Sequence, residues 1–134
     1  MCWITNITPQ SKLAEEDIPV FKIVRKSLRA YYQEFQYSIG RVFKTEINVP
    51  IFNSYEIFFI NEGFHSYSAK ECTAITTEES YKPIIKVYHT FYKLGSYIDA
   101  CILECVIPKG SVYYLNGRGE YVSDHILPLK VRNW

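Results

Sequence analysis

The chain has 134 residues, 48% of them hydrophobic and 22% charged; that leaves room for one domain with a real core and excludes two independent cores and intrinsic disorder. Fifteen Lys and Arg against 14 Asp and Glu give a net charge of +1, which excludes a polycation that wraps duplex nucleic acid through many phosphates. Aromatic residues make up 16% of the chain, with 12 Tyr, 8 Phe and 2 Trp.

The chain does not open on a basic start followed by a short apolar run, and its longest apolar stretch, Ile98 to Pro108, is interrupted by Asp99 and Glu104. The expectation is therefore a cytoplasmic protein with neither signal peptide nor membrane span. Ile18 to Val24, rich in branched residues, predicts a strand over 19–25. Ser27 to Phe35 stays open between a helical turn and an irregular crossing, and a second strand is predicted over Tyr37 to Ile47, with Gly40 marking a bulge or a close backbone approach. Asn48 to Tyr55 reads as loop, Glu56 to Ile60 as a short strand or buried turn, and Ser68-Ala-Lys-Glu71 has the spacing of a helix capping box. The strongest helical pattern follows. Glu78 and Glu79 stand at its start, Pro83 in its first turn, Ile84, Val87, Phe91 and Leu94 at three-to-four spacing, and Gly95 at its end, which predicts a helix over about 79–94.

Tyr97 to Ile107 reads as a long strand buried on part of both faces, Pro108-Lys109-Gly110 breaks it, and Val112 to Leu115 resumes it. Asn116-Gly117 signals a hairpin turn, and Glu120 to Val131 gives a further strand kinked at Pro128. The expected architecture is a single α+β domain over residues 1–134, a mainly antiparallel sheet of five or six strands with one principal helix packed on it; the alternative is a compact β-rich fold with marginal helix content.

The near-zero charge conceals a segregation. Residues 18–44 carry six bases and one acid, residues 45–79 one base and six acids, and residues 80–134 seven bases and four acids. Pairing of the strands at 19–25 and 37–47 would gather several of Lys22, Arg25, Lys26, Arg29, Arg41 and Lys44 on one face with Tyr31, Tyr32 and Tyr37. Such a patch suits a bound nucleotide, cations on phosphate and rings on the base; the plainer reading is a solvated charged strand face. Gly63-Phe64-His65-Ser66-Tyr67 is the densest set of functional residue types, read either as a ligand-binding segment or as packing with His65 at a strand end. Lys109 beside Gly110, and Arg118 in Asn116-Gly-Arg-Gly119, read as turn residues that also suit a phosphate. The candidate ligand-binding residues are Lys22, Arg25, His65, Tyr67, Lys109 and Arg118. By periodicity Tyr88, Tyr92 and one of Tyr113 and Tyr114 belong to packing, which leaves Tyr31, Tyr32, Tyr37 and Tyr67 open to a partner.

No catalytic set is recognisable, since the chain has no nucleophile elbow, phosphate-binding loop or dinucleotide fingerprint. Cys2, Cys72, Cys101 and Cys105 read as reduced thiols. Cys101 and Cys105 lie four residues apart on a strand, about 13 Å, too far to share a metal. His65, His89 and His125 show no ligand spacing, so neither metal nor cofactor is expected.

Met1-Cys2, Ala-Glu-Glu-Asp-Ile (14–18), Gly63-Phe-His-Ser-Tyr67, Val106-Ile-Pro-Lys-Gly-Ser-Val-Tyr-Tyr114 and Gly119-Glu-Tyr-Val-Ser123 together resemble small uncharacterised proteins encoded by phages and prophages of gut bacteria. The resemblance implies a non-enzymatic accessory protein in the host cytosol that binds a phosphate-bearing small molecule, such as a nucleotide signal, or a host protein, and so antagonises host defence. A second resemblance is to ADP-ribosyltransferase-like folds, which use NAD. It would place Arg25, Tyr67 and either Glu104 or Glu120 in the roles of that family, although the His-Gly or Arg-Gly pair usual on its first strand is missing here. A third reading is a homo-oligomeric interaction protein whose surplus tyrosines cover an interface.

Overall fold

The computed structural model describes residues 3–30, 35–48, 50–68 and 100–132, and among them every regular element is a strand. The strands are β1 (Trp3–Thr5), β2 (Lys12–Leu13), β3 (Ile18–Arg25), β4 (Phe43–Lys44), β5 (Ile51–Phe52), β6 (Phe58–Ile60), β7 (Phe64–Ser68), β8 (Ala100–Ile107), β9 (Val112–Leu115), β10 (Glu120–Ser123) and β11 (His125–Arg132). They form an eight-stranded sheet in the order β2-β9-β10-β7-β3-β8-β11-β4 and a three-stranded sheet in the order β1-β6-β5. Every pairing is antiparallel.

The larger sheet must be rolled up. β10 and β11 are separated in sequence by Asp124 alone, yet β7, β3 and β8 lie between them in the sheet order. In a flat sheet they would stand about 19 Å apart, four strand spacings, whereas one residue spans roughly 7 Å. One bent segment from Glu120 to Arg132 therefore pairs with β7 at one end and with β8 at the other, and closes a barrel around them. Asp124 fixes the corner. Its amide donates to Val112 O (3.1 Å), its Oδ1 accepts from Val112 N (2.9 Å) and lies 2.6 Å from His125 Nδ1, and its carbonyl accepts from Thr45 N (2.8 Å).

Alternation along β3 decides what lies inside. Val20 and Val24 join Phe64, Cys101, Leu103, Cys105, Ile107 and Ile126 in the barrel core, while Phe21 and Ile23 are buried on the opposite face. β3 and β8 are thus buried on both faces, which is why each reads as a nearly continuous apolar run. Phe35, Tyr37, Phe43 and Phe64 pack edge-on or tilted at 4.8 to 6.4 Å between centroids and fill one part of the core. The three-stranded sheet seats on β10 through Trp3, which is 1% exposed, packs with Ile60 and Val122, and donates its indole N–H to Glu120 O at 2.8 Å.

Several expectations require correction. The fold class is all-β among the described residues, not α+β with a sheet of five or six strands, because the antiparallel sheets have eight and three strands. The helix over 79–94 lies outside the described residues, as do Tyr31, Tyr32, Tyr88 and Tyr92; the capping-box serine, Ser68, closes β7 opposite Val20. Of the strand expected over Tyr37 to Ile47 only β4 forms, and it pairs with β11 rather than β3, so the basic residues of 18–44 are not gathered by a shared pairing. β1, β2 and β5 are too short to leave a periodic signature, and the sequence does not announce them. Strands at 18–25, 58–60, 100–107 and 112–115 stand where expected, and the shift between Pro128 and Lys130 is the kink expected at Pro128. The hairpin at Asn116 also forms, but with Gly117, Arg118 and Gly119 as its loop and Gly119 at φ 74, the three-residue turn with a left-handed glycine rather than the two-residue Asn-Gly turn.

Candidate functional site

The expected ligand-binding residues do not converge on one site. Lys109 and Arg118 lie in turns at opposite ends of β9, with Lys109 N bonded to Asp17 Oδ1 (2.8 Å) and Arg118 N to Asn116 Oδ1 (3.0 Å). Arg25, three residues beyond Lys22, points to the opposite face of β3. Tyr67 stacks on Phe21 at 5.0 Å, on the face away from the barrel interior. His65 lies on that same outer face, opposite Val122, with Nε2 3.1 Å from Asn61 O. Burial and the neighbouring Lys22 charge push its pKa down to about 4, so it is neutral at pH 7.

Of the residues of the transferase-like reading, Tyr67 and Glu120 are cross-strand neighbours and Arg25 stands apart. Glu120 pairs with Tyr67, and Phe21 separates Tyr67 from Glu104. Arg25 stands about 13 Å farther along β3. Glu120 is 8% exposed and its Oε1 accepts from Asn116 Nδ2 at 3.0 Å, which uses this carboxylate to hold the hairpin.

Lys22 is different. It sits between Val20 and Val24, opposite Leu103, so its side chain enters the apolar barrel interior. Its ammonium donates to the carbonyl of His65 and lies 5.5 Å from the centroid of the Tyr37 ring. That carbonyl needs a donor because the β3–β7 ladder runs only through Val20–Ser68 and Phe21–Tyr67, and the next step would set Lys22 opposite Ser66. Among the described residues no carboxylate pairs with Lys22. Desolvation lowers its pKa from 10.5 to about 8, against a smaller opposing effect of Cys105.

Ser66 completes the feature. It lies on the interior face with Phe64, opposite Tyr121, is 4% exposed, and its hydroxyl has no hydrogen-bond partner among the described residues. Tyr37, also expected to be open to a partner, is 4% exposed in the core, where burial raises its pKa. The interior of a small barrel thus holds an uncompensated amine and an unsatisfied hydroxyl, with Tyr37, Tyr121 and Cys105 around them. The sequence named Lys22 as a ligand-binding candidate and Ser66 only as a member of the Gly63–Tyr67 segment, because the importance of Ser66 comes from burial.

Outside the barrel, an open groove of about 860 Å³ runs between β2 and the start of β3, lined by Lys12, Leu13, Glu15, Glu16, Asp17 and Tyr113 among others. Its three acids make it a poor seat for an anion. Among the described residues no three His, Cys, Asp or Glu side chains converge as metal ligands, and no helix is long and apolar enough to cross a membrane. Cys101 and Cys105 are buried, and their Sγ atoms lie 3.5 Å from Arg25 O and 3.4 Å from Leu103 O. Compared with protein-family models, curated proteins and solved structures, the chain matches none.

Proposed function

We propose that the protein is a non-enzymatic binding module for a small phosphate-bearing molecule, held at Lys22 where β3 and β7 part. The observation that carries this reading is the lysine itself, an ammonium inside an apolar barrel with no carboxylate beside it among the described residues. A buried charge without a counter-charge is costly, and a ligand anion would supply one. An ammonium has three donors, and among the described residues one is spent on the His65 carbonyl. Ser66 Oγ offers a further hydrogen bond from the same face. The resemblance to short phage and prophage proteins supports a nucleotide signal as the ligand class.

Calorimetry against a panel of mono-, di- and cyclic nucleotides in low salt tests the reading. Binding in the micromolar range that Lys22→Met weakens by about a hundredfold, the worth of one charge-assisted contact, is the expected result. No heat with any member of the panel sinks it.

A further inference from the structure

We infer that Lys22 is also a covalent capture site, whose amine condenses reversibly with the carbonyl group of a small aldehyde or α-keto acid. The inference rests on the interior site described above but asks more of it, bond formation rather than charge pairing. An amine attacks carbonyl carbon only as the free base, and most surface lysines are held protonated by water and by neighbouring acids. Lys22 has neither condition in full. It is flanked by Val20 and Val24, faces Leu103, meets an aromatic ring, and among the described residues has no acid within ion-pair distance. Its pKa of about 8 leaves roughly a tenth of the amine as free base at pH 7, far more than an ordinary lysine has. The residue keeps partial exposure, and the β3–β7 ladder ends at Phe21–Tyr67, directly before it.

The step balances without a co-reactant. The nitrogen lone pair forms a bond to the carbonyl carbon, the carbonyl π pair goes to oxygen, and a proton passes from nitrogen to that oxygen to give a carbinolamine. Loss of the hydroxyl with the second nitrogen proton releases one water and leaves the C=N bond, with nothing oxidised or reduced. Ser66 is the group for the intermediate: its buried hydroxyl has no partner among the described residues, it shares the interior face with Lys22, and continuing the ladder by one step would set the two opposite, so we assign it the donor to the carbinolamine oxygen.

Glyoxylate joins an aldehyde to an anion and is the probe. The folded protein is incubated with low glyoxylate and cyanoborohydride, which reduces the imine to a stable secondary amine, and the labelled lysines are mapped by peptide mass spectrometry. The expected result is labelling of Lys22 at least about tenfold faster than that of the exposed Lys12, Lys44, Lys109 and Lys130, a preference that disappears in urea. Ser66→Ala slows labelling of Lys22 several-fold and leaves that of Lys130 unchanged. Labels distributed by exposure, with Lys22 among the slowest, overturn the inference. Nucleotide binding without this labelling removes the covalent step and keeps the anion site; labelling without nucleotide binding does the reverse.

Discussion

At the scale of single residues, Lys22 and His65 set the pH behaviour of the fold. Lys22 has a folded pKa of about 8 against 10.5 unfolded, so between these values the unfolded chain binds more protons and stability rises with pH. The cost of the buried charge is fully present below pH 8. Lys22→Met removes it, and urea unfolding at pH 7 is expected to show a gain of roughly 1–3 kcal/mol, less whatever the stranded His65 carbonyl costs, with the gain shrinking as pH approaches 10. A destabilised variant at pH 7 would show that the carbonyl outweighs the charge. His65, lowered from 6.5 to about 4, acts with the same sign in acid: stability is lost as pH falls from 6.5 toward 4, because the unfolded chain takes up a proton that the folded one refuses. Urea midpoints for His65→Gln should fall less steeply across that window than those of the parent chain. Above pH 10 the sign reverses, since Tyr37, with its pKa raised by burial, keeps its proton when the unfolded tyrosine loses it.

At the scale of elements, β7 is the strand on which the site depends, and Gly63 sets where it begins. Gly63 has φ 130, and a Cβ there would stand 2.5 Å from Val122 Cγ2 and 3.3 Å from Ile47 Cγ1. Gly63→Ala therefore combines backbone strain with overpacking where β7 meets β10, and denaturation should show a loss on the order of 3 kcal/mol. A loss below about 1 kcal/mol would mean that Val122 gives way at little cost. The sequence flagged this glycine and the polar residues after it, yet its significance differed from the reading. The segment is a strand whose alternate residues face opposite sides, so His65 and Tyr67 go outward while Ser66 enters the barrel. Composition showed the residue types, and only the pairing with β10 and β3 assigned their faces.

At the scale of the whole molecule, closure of the sheet through one bent segment makes the corner at Asp124 a point of cooperation between β4, β9 and β11. Asp124→Ala strands the Val112 amide and frees the His125 ring, and a loss of about 2–3 kcal/mol is expected in thermal or urea unfolding. Hydrogen exchange provides a second reading of the same variant. Amides of β9 and β4 should exchange faster, while those of β3 and β8, buried on both faces, remain the slowest. Uniform acceleration across all strands would mean that the corner governs global rather than local opening.

The sequence by itself determined the long strands β3 and β8, the shorter β9, the kink at Pro128 and the presence of a hairpin at Asn116, because each rests on local periodicity, proline geometry or turn chemistry within a few residues. It also singled out Lys22 as a binding candidate, though as part of a basic surface patch. Only the tertiary structure decided that β3 lies between β7 and β8, that the sheet closes on itself, and that Lys22 therefore points inward. Strand pairing between segments far apart in the chain is set by the burial of both faces and by register, and neither leaves a trace in a local window of residues. That pairing places an ammonium group in an apolar barrel and leaves a serine hydroxyl on the same face unsatisfied among the described residues.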